Sequence, residues 1–109
     1  MEKQSFEPAR KYNLKASIQI AEGGVVSKQF IKNQGGNITL FAFDQGQGLS
    51  EHTAPFDAIV QIVEGKAEVT IDGNRQIVAE GEMVLMPANI PHALQAVEAF
   101  KMCLIMLKG

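Results

Sequence analysis

Six turn signals fall within a stretch of sixty residues, and no other feature of this chain restricts its fold so strongly. They are EGG at 22–24, NQGGN at 33–37, DQGQG at 44–48, EG at 64–65, DGN at 72–74 and EG at 80–81. Gly, Asn and Asp tolerate the positive backbone angles that tight turns demand. Between the turns lie short segments rich in Val, Ile, Phe and Thr. That alternation predicts an all-β sandwich or barrel. The predicted strands are 25–32, 37–43, 57–63, 66–72, 75–79, 82–86, 92–97 and 99–107. No segment keeps a helical period over three turns. A single helical turn is expected after Asn13, which can cap the LKA that follows.

Asp72-Gly73-Asn74 predicts a hairpin, which makes 66–72 and 75–79 antiparallel neighbours. Pro87 ends the strand that opens at Gly81, because proline has no N–H to give a sheet. Alternate residues of a strand point to opposite faces. In 56–63, Phe56, Ala58, Val60 and Ile62 share a wholly apolar face that should point inward, and Asp57, Ile59, Gln61 and Val63 share the other. In 100–107, Phe100, Met102, Leu104 and Met106 oppose Cys103, Ile105 and Leu107. Strands apolar on both faces need cover on both. A homodimer supplies it on the outer face, or the N-terminal segment folds over it.

A chain of 109 residues fits a single domain. Residues 1–20 read as an N-terminal arm and 21–109 as the barrel. Hydrophobic residues make up 46% and net charge is −2, which excludes a disordered chain and gives nucleic acid no basic track. Cys103, the only cysteine, lies in the apolar run FKMCLIMLK and reads as a buried thiol. The first thirteen residues lack the apolar centre of a signal peptide, and no run reaches the length of a membrane helix. A cytoplasmic protein with no membrane partner is expected.

The chain has two histidines, His52 and His92. His52 stands at the head of the predicted strand 57–63, and His92 lies in PANIPHAL. The stretch GQGLSEHTAPFDAIVQIVEG places Gly46, His52 and Gly65 at the spacings of the first cupin motif, with Pro55 and IVEG matching common variants. GEMVLMPANIPHALQA places Gly81, Pro87 and His92 at those of the second. Over Gly46–Ala96 the chain resembles a cupin, a small single-domain barrel of jelly-roll type.

The resemblance implies a metal held by His, His, Glu and His. The matching positions here are His52, Ala54, Ala58 and His92, so two of the four ligands are methyl groups. Asn89 and Ala96 replace the second motif's later Gly and its closing Asn. Divalent metals want three or more protein ligands. A metal on His52 and His92 alone should be weakly held. Glu51, Asp57, Gln61 and Gln95 are all out of phase with the histidines if the strands are regular. A bulge could recruit any of them as a third ligand.

The resemblance also brings the two histidines together at one barrel mouth. Ala54 and Ala58 leave room there, and Val60, Ile62, Leu94 and Met86 should make the rest of the pocket apolar. Such a pocket suits a small polar metabolite, sugar-derived among others, and imidazole near neutral pH suits a proton shuttle. Two other functions stay open. One is a metal-dependent isomerase or dioxygenase with a third ligand from outside the motifs. The other is a dimeric scaffold whose barrel is filled by Phe and Met side chains.

Overall fold

The computed structural model describes residues 6–108. Among these residues nine strands follow a 3₁₀ turn at Lys15–Ser17, where Ala16 N–H donates to Asn13 Oδ1 at 3.0 Å. The strands are β1 (Val25–Asn33), β2 (Gly36–Phe43), β3 (Gly48–His52), β4 (Asp57–Glu64), β5 (Lys66–Ile71), β6 (Asn74–Ala79), β7 (Met83–Met86), β8 (His92–Gln95) and β9 (Phe100–Leu107). All pairings are antiparallel. They form a five-stranded sheet in the order β1-β2-β9-β4-β7 and a four-stranded sheet in the order β3-β8-β5-β6. The result is the all-β jelly roll that the turn spacing and the two motifs predict. Among the described residues no helix is long and apolar enough to cross a membrane.

Turn chemistry sets the registers. Asp72 and Gly73 both take positive φ, 51° and 80°, so Ile71 faces Asn74 across a two-residue hairpin. Gly65 joins β4 to β5 with φ 79°, and a Cβ there would collide with the Ala99 carbonyl oxygen. Only glycine meets both demands.

The inward faces of the two sheets meet in one core. Ala58, Val60 and Ile62 of β4 interleave there with Val69, Leu94, Phe100 and Met102. Phe43 and Phe100 face each other across β2 and β9, ring planes 8° apart and centroids 4.5 Å apart. Phe56 does not share the inward face assigned to it. It precedes β4, is half-buried, and lies 5.5 Å beneath the Lys108 ammonium.

A second core lies on the outer face of the five-stranded sheet. Leu40 and Ala42 of β2 and Cys103 of β9 are buried there under Phe6 and Ile18. Lys101 Nζ donates to the Lys15 carbonyl at 2.7 Å and ties the segment down. On β2 and β9, therefore, the N-terminal segment supplies the cover expected from either a second subunit or this segment. Burial pushes the Cys103 thiol above its ordinary pKa.

Candidate functional site

His52 closes β3, and His92 opens β8. The predicted strand set omits β3 and puts His52 at the head of the next strand instead. β3 runs Gly-Leu-Ser-Glu-His, mostly polar and exposed, at the edge of the four-stranded sheet, and so lacks the apolar alternation that marks a strand. His52 and His92 are direct cross-strand partners. An irregularity between Leu49 and His52 shifts the register to bring them opposite.

The two rings meet edge to face, with centroids 4.4 Å apart. Their Nε2 atoms are 3.2 Å apart. Each Nδ1 lies against a backbone carbonyl, Ser50 at 2.7 Å for His52 and Ile90 at 3.1 Å for His92. A carbonyl oxygen only accepts, so the hydrogen-bond network assigns a proton to each Nδ1. Each neutral ring then presents its Nε2 lone pair to the other. That juxtaposition is repulsive until a positive charge or a hydrogen-bond donor lies between or beside the two nitrogens.

Around the pair lies a pocket of about 100 Å³. Ala54, Ala58 and Leu94 line it as the sequence predicts, and Met86 does too. Val60 and Ile62 do not; they lie in the core outside the lining, with no exposed surface. Leu49, Met102, Leu104 and Met106 complete the wall. The inward parity of β9 carried the signal for the last three, but parity gives a face and not a depth. Ala58 sits in register between Met86 on β7 and Met106 on β9. Where the resemblance implies a carboxylate, the sheet thus offers a methyl group flanked by two thioether side chains.

Asn89 holds the mouth of the pocket in shape. Its φ is 65°, which asparagine tolerates well, and its N–H donates to the Ala54 carbonyl at 2.7 Å. It therefore does the conformational work of the glycine it replaces.

The donor set does not fit the metal that the resemblance implies. Two nitrogens 3.2 Å apart could grip one ion at about 2.1 Å with an angle of about 100°. Among the described residues no third His, Cys, Asp or Glu joins them. Asp57 Oδ1 accepts from Ala88 N–H, and Gln95 Nε2 donates to the Gly46 carbonyl. Among the described residues no cluster of three His, Cys, Asp or Glu side chains exists. Imidazoles among thioethers make a soft site, ill suited to ions that prefer carboxylate oxygen.

Burial pushes the His92 imidazole below its ordinary pKa of 6.5, with nearby His52 adding to the effect and the Ile90 carbonyl opposing it. The unfolded chain therefore takes up this proton at a higher pH than the folded one. Between the two values the unfolded state binds more protons, so stability falls as pH drops below about 6.5 and levels off once folded His92 is charged. Melting temperatures followed from pH 8 to pH 5 should show this decline, and His92→Gln should flatten it.

The profile of the Cupin domain family matches residues 39–107. No protein of curated function matches the chain. Among solved structures, a Streptococcus pyogenes protein of unknown function, SPY1581, is 43% identical with a TM-score of 0.89, over 94% of this chain and 90% of that one. A cupin 2 conserved barrel domain protein from Leptotrichia buccalis is 40% identical with a TM-score of 0.86 over 89% of this chain. This chain spans 47% of that protein's length. The cupin superfamily protein DSY2733 from Desulfitobacterium hafniense is 26% identical with a TM-score of 0.89 and full coverage of both chains. With the two-sheet barrel and the family profile in agreement, this chain belongs to the cupin superfamily as a small cupin domain.

Proposed function

We propose that this cupin binds one small polar ligand in the barrel pocket, with the His52–His92 pair as its polar contact and divalent metal held weakly or not at all. The observation that carries this reading is the pair itself. Two imidazole Nε2 atoms 3.2 Å apart, each oriented by a carbonyl on its far side, converge at one end of an apolar pocket. Neutral rings so arranged act as hydrogen-bond acceptors, so the ligand brings a donor such as a hydroxyl or ammonium group. Volume restricts it further. A cavity of about 150 Å³ holds one benzene, so a pocket of about 100 Å³ encloses something smaller than a six-membered ring. A sugar-derived ligand would enter by one end only.

A metal-dependent isomerase or dioxygenase is the weaker reading, because it needs a third ligand that the described residues do not bring to the pair. The proposal is tested by thermal shift over a panel of short hydroxylated and amino compounds. A true ligand at about a hundred times its Kd should add about 2.7 kcal/mol of stability. His92→Gln should abolish the shift without unfolding the chain. The reading is wrong if no compound shifts the wild type, or if the shift survives His92→Gln.

A further inference from the structure

Three close contacts hold the histidine pair: Nδ1 of His52 on the Ser50 carbonyl, Nδ1 of His92 on the Ile90 carbonyl, and Nε2 on Nε2. Each contact needs something positive between its two atoms. Two neutral imidazoles carry one N–H apiece, so they satisfy two contacts and leave the third without a donor. The pair is short of a single positive charge.

The pocket wall says which kind of charge fits. Three of the chain's five methionines, Met86, Met102 and Met106, line the same cavity as the two rings. Met86 and Met102 are almost wholly buried. Met86 and Met106 flank Ala58 in register, on the strands to either side of it. Thioether sulfurs are soft donors, and with long flexible side chains they adapt to what they surround. The rest of the wall is methyl and isobutyl groups.

We propose that the pocket is a copper(I) site, with His52 Nε2, His92 Nε2 and the Met86 sulfur as ligands. A sulfur beside the place of the lost carboxylate exchanges a hard, negative donor for a soft, neutral one. Thioether ligands select copper(I), and imidazole suits copper too. Copper(I) carries one charge, which is the charge the contacts lack. A divalent ion would bring a second charge with no carboxylate to meet it. A proton also completes the count, but it gains nothing from the sulfurs. As a closed-shell ion, copper(I) accepts the low coordination number that this wall offers. Met106 is the less available sulfur, since it already accepts from Asn37 Nδ2 at 3.6 Å.

This site does not depend on the organic-ligand reading, which is tested without copper, so either can fail alone. The other soft donor, the Cys103 thiol, lies on the outer face of β9 beneath the N-terminal segment and takes no part.

Anaerobic titration of the full chain with copper(I), in competition with bicinchoninate, tests the proposal. The wild type and Cys103→Ala should each retain one copper per chain. Met86→Leu keeps the volume of the side chain and removes only its sulfur. It should weaken binding at least about tenfold, the smallest loss expected even for outer-shell contacts. His52→Gln, at an exposed position, should do the same. X-ray absorption of the copper-loaded wild type should show sulfur as well as nitrogen around the metal. Melting profiles confirm that each variant is folded. A wild type that yields its copper to bicinchoninate overturns the proposal. So does binding lost from folded Cys103→Ala, affinity unchanged in Met86→Leu, or a metal shell without sulfur.

Discussion

Replacing Phe100 by alanine is expected to cost about 3–5 kcal/mol of folding stability. The ring has no exposed surface and stacks on Phe43, also fully buried, at 4.5 Å. It also lies against the Gly65 turn, where the backbone is already too close for a Cβ. Backbone held this tightly cannot collapse into the void, so the lost transfer energy and the cavity both count. A domain of this size has about 5–15 kcal/mol in all, and the variant should sit near its folding limit. Urea unfolding would show the loss as a lower midpoint at unchanged slope. Phe100→Leu keeps most of the volume and should lose less than half as much. A loss below about 1.5 kcal/mol for the alanine variant would mean that the two stacked rings do not anchor the core.

Restoring the two missing ligands should change the chemistry of the pocket. Ala54→His together with Ala58→Glu adds an imidazole and a carboxylate beside two nitrogens already at a chelating distance. The carboxylate supplies hard oxygen and a negative charge, both lacking in a wall of methyl, thioether and isobutyl groups. Affinity for Mn²⁺, Fe²⁺ or Zn²⁺ should rise by at least about a hundredfold, since outer-shell contacts alone change metal affinity 10–100-fold. Equilibrium dialysis should find one ion per chain in the double variant and much less in the wild type. Equal, tight binding in both proteins would show that the present pair already holds a full shell, and the weak-metal reading would fail.

Much of this architecture could be read from local chemistry. Asp72-Gly73 identifies its hairpin because few other pairs accept two positive angles in succession. The paired faces of β4 and β9 follow from simple alternation. The cupin motifs bring His52 and His92 together across forty residues. What escaped has equally local reasons. β3 is a polar edge strand whose register is set by an irregularity, and period-two patterns do not reveal such strands. Val60 has the correct face but the wrong depth, because parity does not say how far along the barrel a side chain lies. Met102 and Met106 were legible as inward, yet only pairing of β9 with β4 places Met106 beside Ala58. The cover on Cys103 turned on a choice between a second subunit and the N-terminal segment. Phe6 and Ile18 decide it on that part of the sheet.

The position of β9 has a consequence for how the molecule is made. It is the last of the nine described strands in sequence and the middle strand of its sheet, with β2 on one side and β4 on the other. While a ribosome is still building the chain, β2 and β4 have no seam to join them. Their long-range partner arrives only when synthesis has passed Leu107, so the nascent barrel stays open and its unpaired edges stay available to neighbours. Closing the five-stranded sheet is therefore a late, long-range step.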